Sequence, residues 1–482
     1  MKVPDPTPEL VSELLAQHFD ADVRCIGVTR GAIGNGQETW FLRIDAGDGS
    51  ERDLVLRRSA LAGTLTFTER RTEFEVLRWL EDSGLPVPRV HWIDDSGGPL
   101  GRPYLVMDRL AGRPPRPRDA RERASVANQL GGLLAHLHEI ARGMRPPGVT
   151  ATDSSTKATT DEVRRWAERY AAGSIRVPLV GALLAWLEAN VPDDATEPVL
   201  LWGDPGPHNA LVDDGRVTAL LDWELAHVGH PLEDLGGAVW AGLGMYDANE
   251  VVAGYEATTG AAVDRRLLAY FTVLACVTRS VMQLAGLDAW RRGETTAPNL
   301  AGLGLSLLVA NVERAAAWAG WCSPAPADPS HGALPDPDRA PSTRLRPDAS
   351  ELASGVARFL RDDVLPAVDD AVLVRGLKTA VALLETSAVR SLTEPVLERQ
   401  RGVAVRRLLG DLAAAGLDVT VGLEAVATTV EANDVWARWR PRVRRVLLDD
   451  LAARRRLLAP LDELYGLAVG SNPPLAGHRD PA

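Results

Sequence analysis

The apolar positions of this chain change their period near residue 120, and the change separates two kinds of structure. Residues 8–19 place Leu10, Leu14 and Leu15 on one face of a short helix. Alternating apolar and polar positions follow, and they predict strands over 22–28, 39–44 and 53–57. Phe74, Leu77 and Leu80 then form the stripe of a helix over 69–81. Pro86 and Pro88 end that region, and short alternating runs over 90–92 and 104–107 complete a small antiparallel sheet.

Beyond residue 120 the spacing is helical. Val126, Leu130, Leu133, Leu134 and Leu137 share one face of a helix ending near His138, where His136 and His138 read as helix-surface or capping residues. Further helices are predicted over 161–171 and 179–189, then 248–258, 264–284 and 300–318. Between these groups, 210–212 and 217–221 read as strands folded back on each other at Asp213-Asp214-Gly215.

A proline run from Pro324 to Pro347 excludes regular structure and reads as an extended linker. After it only helical patterns occur, over 350–364, 370–384, 395–414, 423–433 and 436–465. The expected organisation is therefore a strand-rich segment 1–110, a helical segment 111–322, a linker 323–347 and an all-helical accessory domain 348–482. Arg438, Arg440, Arg442, Arg444, Arg445 and 454–456 make one region of the accessory domain basic. That region is expected to be a solvated face paired with acids such as Asp449 and Asp450, with anion docking as the alternative.

Composition narrows the class. With 482 residues, 45% hydrophobic and 24% charged, the chain is expected to form soluble globular domains. A formal net charge of −12 argues against a sequence-independent nucleic-acid binder, so no nucleic-acid partner is expected. Cys25, Cys276 and Cys322 are odd in number and form no CxxC, which fits neither a disulfide framework nor a zinc site. A reducing, cytoplasmic setting is expected, since the first residues lack the pattern of a signal peptide. No uninterrupted apolar run approaches the roughly 20 residues of a membrane span, so no membrane partner is expected.

The stretch 200–240 carries the chemistry. Asp204 follows Gly203, Asn209 stands five residues on, and the second arm of the hairpin delivers Asp222. Phosphoryl transfer requires one carboxylate to orient an attacking hydroxyl and oxygen ligands to hold Mg²⁺ against a triphosphate. These three residues offer that set, with Asp204 as catalytic base and Asn209 and Asp222 as metal ligands. Upstream, Gly31, Gly34 and Gly36 form a Gly-rich turn between two strands, where backbone amides can approach phosphates. The third strand ends in Arg57 and Arg58, either a solvated strand end or, at Arg57, a cation held over the triphosphate. Glu73 is the favoured partner for that cation, and Glu75 the alternative. Met107 begins the crossing 107–112, whose backbone could meet an adenine. Asp234 is either a plain helix cap or, as favoured here, a brace for the catalytic loop.

Taken together, GQETW at 36–40, LVLRR at 54–58, EFEVLRWL at 73–80, WGDPGPHN at 202–209 and DWELAHVGHPLEDLG at 222–236 make a specific match. On these motifs the first 320 residues or so resemble the aminoglycoside phosphotransferase-like family, particularly the branch found in certain acyl-CoA dehydrogenase fusion proteins. The resemblance implies an α+β, protein-kinase-like two-lobed fold that moves the γ-phosphate of ATP to a small-molecule hydroxyl with Mg²⁺ as cofactor. It assigns the base to Asp204, metal positions to Asn209 and Asp222, the phosphate-contacting lysine's place to Arg57, and that residue's partner to Glu73. Hydroxyacyl-CoA thioesters are the implied acceptors, and an acyl-CoA dehydrogenase is an implied partner. The tail is similar to an uncharacterised domain that often follows such kinases. Two departures stand out: Trp202 occupies a position where His is common, and His230 one where Asp is common. The loop is therefore expected to be braced differently. Alternative readings are an antibiotic phosphotransferase, whose polycationic substrates suit an acidic protein, and a nucleotide-binding pseudokinase whose tail serves a partner.

Overall fold

The computed structural model describes residues 5–19, 23–31, 37–60, 64–66, 68–115, 120–150, 152–242, 246–295, 297–322, 349–458 and 460–461. The expected linker 323–347 lies outside them. The first elements are α1 (Pro8–His18), β1 (Arg24–Arg30), β2 (Gln37–Asp45), β3 (Glu51–Ser59), α2 (Arg70–Leu80), β4 (Val90–Asp94), β5 (Tyr104–Asp108) and α3 (Ala120–Ile140). Next come α4 (Ser155–Ala172), α5 (Pro178–Ala189), β6 (Val199–Leu201), β7 (Ala210–Asp213), β8 (Arg216–Leu220), β9 (His227–Gly229), α6 (Pro231–Ala241) and α7 (Ala248–Thr259). The rest is helical: α8 (Arg265–Arg291), α9 (Pro298–Trp318), α10 (Ala349–Phe359), α11 (Ala371–Ala414), α12 (Leu423–Ala432) and α13 (Arg440–Arg455). This is the α+β, kinase-like architecture: a small antiparallel sheet, a helical remainder and an all-helical C-terminal region.

The chain divides into two compact units, Met1–Ala158 with Asp194–Asp264, and Thr159–Asp193 with Arg265–Ala482. In the first, a five-stranded antiparallel sheet runs in the order β1-β2-β3-β5-β4. Its strands outrun the expected ones because charged residues at the ends, such as Glu51 and Arg52, still pair in register with Asp45 and Ile44. Thr7 caps α1 by accepting from the Leu10 amide. The helix lays Val11, Leu14 and Leu15 onto Trp40, Leu42 and Leu56 of the sheet. Two small hairpin-like pairings, β6 with β9 and β7 with β8, frame the stretch 200–230.

The segment after β5 is tied to the second of these pairings. Arg113 and Val212 exchange both backbone hydrogen bonds, and the Thr218 hydroxyl donates to the Ala111 carbonyl at 2.9 Å. Gly112 sits between them at φ +127°, where a Cβ would overlap Thr218 Oγ1. Only glycine tolerates both demands.

In the second unit α8 packs along α9, and α5 against α12. Both α8 and α9 are long and apolar enough to cross a membrane by length and composition, contrary to the expectation from uninterrupted runs. The most apolar windows are 94% and 72% buried within the protein, as in a core helix. The break expected before Pro395 does not occur, since α11 runs unbroken from Ala371 to Ala414. Proline removes one helical hydrogen bond and crowds the preceding turn. Here the Arg390–Glu394 pair bridges the turn that precedes the proline, and packing against α9, α10 and α13 holds the helix. The basic region is paired with acids, as expected: Arg454 with Asp450 in its own helix and with Glu398, Arg440 with Asp434, Arg442 with Asp411, and Arg444 with Glu431 from other elements.

Candidate active site

All the candidate residues that are described lie in the first unit. The loop between β6 and β7 is held at its base by Asp234, the fourth residue of α6. Its carboxylate accepts from the Trp202 amide at 2.7 Å and the Gly203 amide at 2.9 Å. His138, 4% exposed, meets the same carboxylate through Nε2 at 3.2 Å and Tyr255 Oη through Nδ1 at 3.0 Å. An Nε2–H donated to the carboxylate leaves Nδ1 to accept from the tyrosine hydroxyl. Burial, with the nearby Asp234 charge, pushes the Tyr255 hydroxyl up to about 12. Asp234 is thus a brace, and His138 is a buried member of it rather than a surface residue.

Gly203 completes the turn at φ +87°, with the Leu225 carbonyl where a Cβ would stand. The loop then exposes Asp204. Asn209 Nδ2 donates to the Asp204 carbonyl at 3.0 Å and to its carboxylate at 2.9 Å, and His208 Nε2 approaches the same carboxylate at 3.2 Å. The Asn209 amide is therefore spent on Asp204, which turns its carbonyl oxygen elsewhere.

Trp202 answers the question raised by the missing histidine. Buried and stacked on Trp223 with ring centroids 5.6 Å apart, it donates its indole N–H to the Leu221 carbonyl at 2.8 Å. Leu221 in turn donates its amide to the Asn209 carbonyl at 2.8 Å. These two bonds set Asp222 beside Asn209. Trp202→Phe keeps the stack and orphans the Leu221 carbonyl, so a stability loss of about 1–3 kcal/mol is expected. Chemical denaturation checks it, and an unchanged midpoint would show that the indole bond contributes nothing.

Asp222 adopts φ +60°, which is costly for a side chain other than glycine. Its carboxylate pairs with Arg57, which also pairs with Glu73 on α2. Glu75 instead faces Arg71 at 3.6 Å. Burial opposes the Arg57 charge, but Asp222, Glu73 and Glu224 outweigh it and push its proton affinity up. Arg58 is not a solvated strand end: it is 1% exposed, lies 4.6 Å from the Trp40 ring and pairs with Glu38.

Sequence reasoning missed a second ion pair behind the first. Arg70, at the start of α2, joins Glu73 to Glu224. Glu224 also accepts from Gln37 Nε2 at 2.6 Å and Thr68 Oγ1 at 3.1 Å. Burial pushes the Glu224 carboxyl up, and the Arg70 guanidinium opposes that shift. Its signal in the sequence was an acid set between Trp223 and Leu225, a place for a charge only if a partner waits inside. Two guanidiniums, Arg57 and Arg70, face three carboxylates, Glu73, Asp222 and Glu224. The surplus negative charge falls at Asp222, whose side chain is 36% exposed while Glu73 is 1% and Glu224 5%. A cation is favoured there, and an oxygen-only donor set suits a hard one such as Mg²⁺.

Gly31 anchors the base of the β1–β2 connection, donating its amide to the Thr39 carbonyl at 2.8 Å. Gly34 and Gly36 lie outside the described residues. Met107 is buried within β5, in register with Val55 on one side and Val90 on the other. The next two amides are also spent, Asp108 on the Arg89 carbonyl and Arg109 on the Asp53 carbonyl.

A kinase-like sheet, a braced Gly-Asp loop and an Arg–Glu pair define a phosphotransferase architecture. The profile of the phosphotransferase enzyme family matches residues 28–270, half of the chain, and the chain belongs to that family. Acyl-CoA dehydrogenase family member 11 of Rattus norvegicus is 30% identical over 234 residues, covering 46% of this chain and 29% of its own length. The chain thus spans under a third of that relative. Among solved structures, macrolide 2'-phosphotransferase MphH of Brachybacterium faecium is 23% identical, covering 62% of this chain and 98% of its own, with a TM-score of 0.43. Aminoglycoside phosphotransferase APH(4)-Ia, in complex with AMP-PNP and hygromycin B, is 16% identical with a TM-score of 0.45, covering 64% and 99%.

Proposed function

We propose that this chain is an ATP- and Mg²⁺-dependent phosphotransferase acting on a hydroxyl of a small molecule. The observation that carries this reading is the convergence of Asp204, Asn209 and Asp222 with the Arg57–Glu73 pair in one site. Asp204 orients the acceptor hydroxyl and takes its proton as the oxygen bonds to the γ-phosphorus and the bond to the β-phosphate oxygen breaks, releasing ADP. Asn209, through its carbonyl oxygen, and Asp222 would hold Mg²⁺, which when bound neutralises charge on the phosphates. Arg57 positions the triphosphate by charge and geometry and does not titrate. Gly31, Gly34 and Gly36 would let a turn approach the phosphates. The crossing after Met107 would meet the adenine through groups other than the Asp108 and Arg109 amides, which already bond the Arg89 and Asp53 carbonyls.

For the acceptor, the acyl-CoA dehydrogenase relatives favour a hydroxyacyl-CoA, within a cytoplasmic setting that suits the free cysteines. The carboxylate surplus favours a second reading, a polycationic aminoglycoside-type acceptor. ADP release measured across hydroxyacyl-CoAs, aminoglycosides, amino alcohols and sugars separates them. Turnover at 10-fold or more above background is expected with a hydroxyacyl-CoA. No turnover with any acceptor, together with unaltered ATP binding in Asp222→Ala, would sink the phosphotransferase reading in favour of a pseudokinase.

A further inference from the structure

The second unit contains a cavity of about 280 Å³ that the phosphotransfer chemistry does not use. Its walls come from the start of α5, from α8 and α9, and from α11, α13 and the turn after it. Val177, Leu179, Leu308, Val312, Leu447 and Leu451 are representative of a lining whose apolar members are all aliphatic. Leu179, Val312 and Leu447 are at most 5% exposed. Among the described residues no aromatic ring lines it, so none of them would stack on a nucleobase or a planar ligand. Protein interiors are packed with few voids larger than a water, and apolar cavities of about 150 Å³ stay dry and take up apolar molecules. This larger aliphatic cavity is partly open to solvent, which gives a hydrocarbon chain a way in, and on its walls the chain gains contacts that water cannot supply.

The polar part of the lining gives the chain a head group. Arg176, Arg390, Arg401 and Arg454 line the cavity against Glu394 and Asp450. Arg390, Arg401 and Arg454 are matched by Glu394, Asp450 and Glu398, which pairs with Arg454 at 2.8 Å, so the one positive charge in excess is that of Arg176. Arg390 reaches Glu394 at 2.8 Å and Arg401 reaches Asp450 at 3.3 Å, which holds these guanidiniums along one edge. Arg454 commits all three nitrogens to Glu394, Glu398 and Asp450, whereas Arg390 Nη1 and Arg401 Nη2 take no part in these pairs, and side chains 34% and 28% exposed leave them open to an incoming anion.

We infer that this cavity binds a single-chain anionic amphiphile, its alkyl chain among the leucines and valines and its anionic head at the arginine edge. The inference is independent of the phosphotransferase reading, because it uses none of the residues near Asp204. It is tested by calorimetric titration of the full chain with decanoate, 1-decanol and decyltrimethylammonium. Saturable binding of one decanoate per chain is expected, at least tenfold tighter than either of the others. Leu308→Trp and, separately, Val309→Phe fill the cavity and are expected to abolish decanoate binding while the unfolding temperature is kept or raised. Arg401→Glu is expected to narrow the preference for decanoate over decanol. Three results would overturn the inference: no saturable binding by the full chain, which would leave the cavity to a protein segment; equal binding of the cationic amphiphile; or full binding retained in a folded filler variant.

Discussion

Asp204→Asn is expected to lower kcat roughly a hundred- to ten-thousand-fold, the usual contribution of a positioned general base. The KM for ATP should change less than kcat, since Asp204 meets the proposed metal ligand Asn209 through its side-chain Nδ2 and not through the side-chain oxygen that would face the metal. The substitution is nearly isosteric, and Asn209 can still face the loop, so the unfolding midpoint should hold. Rate and stability therefore separate. A variant with near-normal kcat would show that the acceptor hydroxyl needs no carboxylate here and would remove Asp204 from the chemistry. If rate and stability fell together, the loop would have been the casualty, and the role of the carboxylate would be structural.

The second large effect belongs to Asp234, which touches no reacting group. Asp234→Ala removes the acceptor for the Trp202 and Gly203 amides and for His138, all buried or nearly so. Leaving such groups unpaired is expected to cost about 3 kcal/mol of stability. The loop carrying Asp204 would also lose its anchor, and a small misplacement of a catalytic group can cost about a hundredfold in rate. Denaturant unfolding and steady-state kinetics read the two parts. Asp234→Asn should retain one of the amide bonds and fall between wild type and alanine. Unchanged stability and rate in the alanine variant would show that the loop is held by its other contacts.

Much of the architecture was legible before any coordinates. The switch from alternating to helical spacing located the sheet and the helices, because burial on one face imposes a period of 2 or 3.6 on the apolar positions. The hairpin at Asp213–Gly215 was readable from turn chemistry, and β7 and β8 pair around it. What sequence reading missed shares one cause. His138 and Arg58 read as surface residues, and Arg70 and Glu224 drew no reading at all, since charge and imidazole are usually solvated. Each is buried because a partner from a remote stretch neutralises it, and pairings such as Arg70 with Glu224, 154 positions apart, leave no local pattern. The unbroken α11 is the same lesson in another form: Pro395 argues locally for a break, and packing elsewhere overrides it.

Taken alone, the sequence determined which residues could carry phosphoryl transfer and the kind of element each sits on, because both follow from side-chain chemistry and short-range periodicity. It raised doubt at Trp202 and could not resolve it. Only the tertiary structure decided that the indole donates to Leu221 beside Asp222, that Asp234 and His138 brace the loop together, and that Arg57 grips Glu73 and Asp222 at once. Those are distance-dependent interactions between segments far apart in the chain, and a linear order carries no distances.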